Sequence, residues 1–245
     1  MILVADPHMN PGEMTPMFRA ALDLSYSLGE PMCSDGDTYQ FLPHGTKRWE
    51  GSPCIAETKR YVTERDMLLV LMIGNHDPPG ALEYFFADCP NVLIERTLEI
   101  PYRVGPQHPE EKVVIRHGHS WCPQWSWLAP IAPPVVDYLA ETFPGMWFSF
   151  SDRMGWIPSR VISEKEYHIV VRSVFSGGLR YISENQCRLV LGHTHKWATV
   201  YEQFPGGLVD GVLYSLAPLD TGCYLRVQYD KPITWGTLLP GGRYL

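Results

Sequence analysis

Short apolar runs ending in turn residues alternate along this chain with stretches of helical spacing. That alternation predicts a layered α/β protein. Residues 2–5 read as a first buried strand. Thr15 followed by Pro16 reads as a helix start, an N-cap with proline at the first helical position. That helix runs to about Gly29, with Phe18, Ala21, Leu22, Ser25 and Leu28 on its inner face. Ser52-Pro53 repeats the signal for a helix through Arg65. Residues 67–73 (MLLVLMI) form an apolar run of strand length ending at Gly74, and residues 80–88 a short helix. Residues 92–94, 113–115 and 189–191 are further strands. Ser163 is placed to cap a helix from Glu164 to about Phe175. Gly177-Gly178 is expected to break or kink it before a second piece, 179–184. Residues 211–216 and 223–229 close the chain as strands, expected to be antiparallel.

The stretch from Trp121 to Arg160 breaks this rhythm. It holds five Trp and six Pro, and only 135–142 has helical spacing. It reads as an aromatic, Pro-rich lid inserted in a single domain spanning 1–245. Its tryptophans, Trp125, Trp127 and Trp147 among them, are core packing on one reading and a substrate platform on the other.

Composition narrows the function classes. The 245 residues are enough for a core without disulfide staples. The formal charge of −7 and the lack of a basic run argue against stable nucleic-acid binding. No apolar stretch reaches the roughly 18 residues of a membrane span. The opening residues lack the basic start of a signal peptide, so a cytoplasmic location is expected. Cys33, Cys54, Cys89, Cys122, Cys187 and Cys223 are scattered without a C-x-x-C pair and read as reduced, small apolar residues.

Five clusters carry the candidate chemistry: Asp6-Pro7-His8, Gly36-Asp37, Gly74-Asn75-His76-Asp77, His117-Gly118-His119 and Gly192-His193-Thr194-His195. Each follows an apolar strand or sits in the turn after it, where α/β folds gather ligands. Alternating side chains put the two imidazoles of H-x-H on one side of an extended chain, a spacing suited to a shared metal cluster. Carboxylate and imidazole donors suit Mn²⁺, Fe or Zn²⁺. His44, His108 and His168 have no partner pattern and read as structural or solvated.

In order and spacing the five clusters resemble the calcineurin-like metallophosphoesterase superfamily. The resemblance implies a two-sheet β-sandwich flanked by helices. It implies one metal held by Asp6, His8, Asp37 and His195, and a second held by Asp37, Asn75, His117 and His193, with Asp37 bridging. Two divalent ions are therefore expected, Mn²⁺ foremost, with Fe, Zn²⁺, Ni²⁺ or Co²⁺ as the others. His76 would stabilise the transition state or protonate the leaving oxygen, with Asp77 orienting it. The other reading of Asp77 is an ordinary turn cap. His119 is either a second layer around the metals, a substrate contact or a turn histidine.

The chain also departs from that family's pattern. Residues 30–35 make a weakly apolar approach to Gly36-Asp37, which leaves Asp35 as a rival ligand. Lys196-Trp197 stands where relatives often have Pro, and Asp220-Thr221-Gly222 where they often have N-T-G. The layout is similar to UDP-2,3-diacylglucosamine hydrolases, with 76 residues separating His117 from His193. That branch, however, has Arg at the position of His76. The resemblance implies hydrolysis of a phosphoester by a hydroxide activated between two metals, and the large lid, suited to two-sided substrates, favours a phosphodiester or pyrophosphate. The substrate would be a phosphorylated small molecule: a nucleotide, a nucleotide-sugar or another phosphodiester. A phosphomonoesterase is the alternative, with a nuclease or an inactive binding scaffold behind it. The aromatic insertion could serve a homodimer or a membrane surface.

Overall fold

A computed structural model describes residues 1–41, 46–77, 80–105, 107–121, 164–202, 211–239 and 243–244. The core of the proposed lid, its helix at 135–142, and Trp125, Trp127, Trp147 and Cys122 lie outside those residues.

The elements are β1 (Ile2–Ala5), α1 (Pro16–Leu28), β2 (Met32–Asp35), α2 (Pro53–Glu64), β3 (Leu69–Met72), α3 (Ala81–Phe86), β4 (Val92–Glu95), β5 (Leu98–Tyr102) and β6 (Glu111–Ile115). Then follow α4 (Glu164–Asn185), β7 (Arg188–Leu191), β8 (Ala198–Glu202), β9 (Gly211–Ser215), β10 (Cys223–Arg226), β11 (Thr234–Leu239) and β12 (Arg243–Tyr244). Both Pro-led helix starts form, but only the first is capped by a side chain; Ser52 makes no cap hydrogen bond at α2. The Phe18 N–H donates to Thr15 Oγ1 at 3.3 Å, Pro16 opens α1, and Gly29 closes it in the left-handed region. Leu28 departs from expectation: it is exposed at the helix end.

Two sheets form. One runs β12-β11-β10-β1-β2-β3-β4, the other β5-β6-β7-β9-β8. β1 to β4 are mutually parallel, as are β6, β7 and β9. Alternation of side chains along each strand sorts the core into three layers. Ile2, Val4, Leu69 and Leu71 pack outward with Phe18, Leu22 and Val62 of α1 and α2. Leu3, Ala5, Val70 and Met72 point the other way and meet Val113, Ile115 and Val190 between the sheets. Val114, Leu189, Leu191 and Leu213 face Val174 and Ile182 of α4. The result is a two-sheet sandwich with helices on both outer faces.

One expectation is corrected, and two segments gain a placement the sequence does not give. α4 is one helix through Gly177-Gly178, not two pieces. These glycines serve close packing: a Cβ would sit 2.4 Å from Trp121 Cγ at Gly177 and 2.7 Å from Leu213 Cδ1 at Gly178. β9 and β10 each have antiparallel neighbours, as expected, but they belong to different sheets. β9 lies in the five-stranded sheet, while β10 pairs antiparallel with β1 in the other. The segment 32–35, weakly apolar in sequence, is a fully buried strand.

Glu30 ties the beginning of β1 to the end of β10 beside it in the larger sheet. Its carboxylate accepts from Arg226 Nε at 3.0 Å, Gln228 Nε2 at 2.8 Å and the Met1 ammonium at 2.9 Å. Burial alone would raise its pKa, but the Arg226 and Met1 bonds outweigh that and hold it below 4.5. A depressed carboxylate pKa stabilises the fold above the unfolded value and loses that contribution as pH falls through the folded one. Glu30→Gln is expected to cost about 1–3 kcal/mol at pH 7, the range for hydrogen bonds to a charged group. The gap should narrow as pH falls below the ordinary carboxylate range and through the lowered folded pKa. Urea melts of both proteins at steps from pH 7 to pH 2 check this, and a gap that does not narrow in acid would contradict it.

Candidate metal centre

β1, β2 and β3 are neighbours in one sheet, and β6 and β7 are neighbours in the other. All five are parallel to their neighbours here, so their C-terminal ends lie on one edge of the sandwich. The five clusters follow those ends: Asp6 after β1, Asp37 after β2, Asn75 after β3, His117 after β6 and His193 after β7.

The backbone at these ends is strained in a concentrated way. Among the described residues eight non-glycines have positive φ, and five of them are Asp6, His8, Asp37, His193 and His195, at 46° to 60°. Each such residue costs on the order of 1–3 kcal/mol, and strain of this kind gathers where a site over-determines geometry. Cross-links between the loops hold it. The His8 N–H donates to the Asp37 carbonyl at 3.0 Å. The His193 N–H donates to Asp6 Oδ2 at 3.0 Å, and the His76 N–H to Asp37 Oδ1 at 2.8 Å. Two glycines make room. A Cβ at Gly74 would lie 2.1 Å from Asp37 Oδ1, and one at Gly36, whose φ is +76°, 2.2 Å from His117 Nδ1.

Three groups of ligand-type atoms converge, each within 4.8 Å: Asp6, His8 and His195; Asp37, His117 and His193; and His8, Asp37 and His76. Asn75 joins the second through its Oδ1, 3.0 Å from His117 Nε2. The same His117 Nε2 lies 3.2 Å from Asp37 Oδ2, and His8 Nε2 lies 3.2 Å from His195 Nε2. All seven residues expected as ligands thus gather at one edge of the sandwich. His76 stands at the mouth, 31% exposed, with its ring edge-on to His8 at 5.2 Å and Nε2 3.9 Å from Asp37 Oδ2.

Asp77 does not pair with His76. Its Oδ2 accepts the Gly74 N–H at 2.8 Å, closing the turn, and His76 Nδ1 has no hydrogen-bond partner among the described residues. The turn-cap reading of Asp77 is the one the structure contains. His119 lies beside the second group, its ring 5.4 Å from His117 and 6.4 Å from His193. Asp35 belongs to none of the three groups. Its backbone carbonyl instead sits 2.9 Å from His117 Nδ1, leaving Nε2 to face the centre. No sequence signal marks that orienting contact.

Charge at the site is unbalanced. Asp6, Asp35, Asp37 and Asp77 are all buried within one small volume. Burial raises the Asp6 and Asp77 carboxyls well above their ordinary range and lifts Asp35 to about 7. Asp37 goes the other way. Burial would raise it, but His117 above all holds it well below the usual carboxylate value. His117 shows the reciprocal effect: burial would lower it, yet Asp37, Asp6 and Asp35 push it up to about 10. Burial is the main cause that lowers His8 to about 4, His119 to about 3, His195 below its ordinary value and His193 well below it. Neutral imidazoles and buried carboxylates are the donor set of a divalent cation site. Asp6 Oδ1 and His193 Nε2 are buried and lack a hydrogen-bond partner among the described residues, as atoms reserved for a cation would. The residues therefore fit divalent metal ions.

No family model matches the sequence, and no curated protein matches it. Among solved structures, the chain is similar to one described as a novel archaeal phosphodiesterase. The two share 12% identity with a TM-score of 0.40, over 97% of this chain and 100% of that one. No helix among the described residues is long and apolar enough to cross a membrane.

Proposed function

We propose that this chain is a metal-dependent phosphoesterase of the calcineurin-like kind, hydrolysing a phosphodiester or pyrophosphate bond in a small molecule. The observation that carries the reading is the meeting of Asp6, His8 and His195 with Asp37, His117 and His193 at one edge of the sandwich. In this reading one divalent ion is held by Asp6, His8, Asp37 and His195, and a second by Asp37, Asn75, His117 and His193, with Mn²⁺ the foremost candidate. Bound there, the ions supply Lewis acidity to the phosphoryl oxygens and acidify water.

The protein's own groups do the rest. The Asp35 carbonyl and the strained loops fix the donor atoms before substrate arrives, so little reorganisation is needed at the moment of reaction. His76, at the mouth, presents Nε2 to the substrate side and donates a proton to the departing oxygen. Asp77 acts through the turn it caps, fixing the backbone from which His76 projects. A lid from about residue 121 to 160 would admit substrates with a group on each side of the phosphorus, which favours diesters over monoesters.

The test is hydrolysis of bis(p-nitrophenyl) phosphate beside p-nitrophenyl phosphate by metal-stripped protein reloaded with Mn²⁺. The diester is expected to have the higher kcat/KM by at least about tenfold, a 1.4 kcal/mol difference at the transition state. Preference for the monoester would make the protein a phosphatase. Hydrolysis of neither, with metal bound, would overturn the enzymatic reading.

A further inference from the structure

Five strained residues in one site raise the question of what holds them, since the ions themselves can act only once the loops are in place. Two pairs of buried hydroxyls stand at two of the three strained loops, those that carry Asp37 and His193–His195. Ser34 Oγ and Thr38 Oγ1 share a hydrogen bond of 2.7 Å across the loop that presents Asp37. Thr194 Oγ1 and Ser215 Oγ share one of 2.6 Å, tying the His193–His195 loop to the end of β9. All four side chains are 0% exposed. Thr194 also accepts the Lys196 N–H at 3.3 Å, so its hydroxyl spans the backbone on either side of His195.

Folding alone does not need these hydroxyls. Replacing both members of a buried hydrogen-bonded pair by apolar groups of similar shape is often nearly neutral for stability. What an apolar pair lacks is direction, and a hydrogen bond fixes one atom against another. Thr194 sits between His193 and His195, which belong to different convergent groups. Thr38 follows Asp37 directly. Each pair therefore acts on donor atoms without touching an ion.

We propose that Ser34–Thr38 and Thr194–Ser215 are positioning pairs that hold the ligand loops in their strained form and so set metal affinity. The inference rests on the metal-centre reading above and deepens it.

The test uses the full chain with Thr194→Val and Ser215→Ala combined, so that no buried hydroxyl is left alone, and Ser34→Ala with Thr38→Val as the second pair. Mn²⁺ affinity is measured by competition with a chelating dye, and thermal unfolding is followed on metal-free protein. Each double variant is expected to bind Mn²⁺ about 10- to 100-fold more weakly, the usual cost of removing support behind a ligand. Metal-free Tm should stay within about 4 °C of wild type, the shift that 1 kcal/mol produces in a chain of this size. Thr194→Ser, which keeps the hydroxyl, should retain wild-type affinity within about threefold, under 1 kcal/mol. Unchanged affinity with a fallen Tm would overturn the proposal, because the pairs would then be structural only. If wild-type protein binds none of Mn²⁺, Zn²⁺ and Fe²⁺, the metal-centre reading fails and this inference with it. If wild type binds one of them and the variants bind it equally, only the inference fails.

Discussion

Asp37→Asn is expected to release both metal ions and to lower turnover by at least about 10³-fold, the several kcal/mol that paired Lewis acids supply to phosphoryl transfer. Asp37 is the only carboxylate in two of the three convergent groups among the described residues. Its Oδ1 receives the His76 N–H and its Oδ2 lies 3.2 Å from His117 Nε2, so one side chain faces both halves of the site. Asparagine keeps the shape and an acceptor for His76 but removes the charge that a shared ligand must provide. Elemental analysis after gel filtration, beside a circular dichroism spectrum to show that the fold survives, reads the outcome. A folded variant that keeps both ions would remove Asp37 from the bridging role.

His76→Ala should behave oppositely with respect to metal. Turnover is expected to fall by about 10²- to 10⁴-fold, the range for a lost proton donor, while metal content stays at the wild-type level. The difference follows from placement. His76 is 31% exposed at the mouth, whereas Asp37 is buried among the ligands. Its ring does approach His8 and Asp37, which makes the metal readout decisive rather than routine. Loss of an ion in this variant would mean that His76 is itself a ligand. A substrate with a better leaving group should recover part of the rate, because it depends less on protonation.

The site was legible because its residues are local. Five short clusters fall at the ends of strands, and apolar runs such as MLLVLMI locate those ends without tertiary information. Helix starts were legible for the same reason, since the Thr15 cap and the prolines Pro16 and Pro53 act within one turn. What escaped depends on partners far away in sequence. β2 reads weakly because Ser34 and Asp35 are polar, yet Ser34 is satisfied by Thr38, and the Asp35 carbonyl meets His117 from the other sheet. Gly177-Gly178 looks like a helix break until Trp121 and Leu213 fill the space beside it. β5 carries Pro101, and β11 carries Gly236, which the Tyr224 ring needs clear. Pro101 is tolerated because β5 is an edge strand. β9 and β10 are antiparallel to neighbours as the sequence suggests, but their sheets are not legible: the turn around Pro218 carries the chain from one sheet to the other, where Pro218 bridges to Ala5. The expected His76–Asp77 pair failed because Asp77 serves a bond three residues away, to Gly74.

The most direct measurement is the metal stoichiometry of the wild-type chain. Protein stripped with chelator is dialysed to equilibrium against increasing Mn²⁺, and bound metal is counted per chain. Two ions per chain, both absent from Asp37→Asn, is the expected result. It should be accompanied by a rise in Tm of metal-loaded over stripped protein, because a ligand that binds only the folded state stabilises it. A chain that binds no Mn²⁺, Zn²⁺ or Fe²⁺ and melts at the same temperature with and without them would contradict the account at its centre.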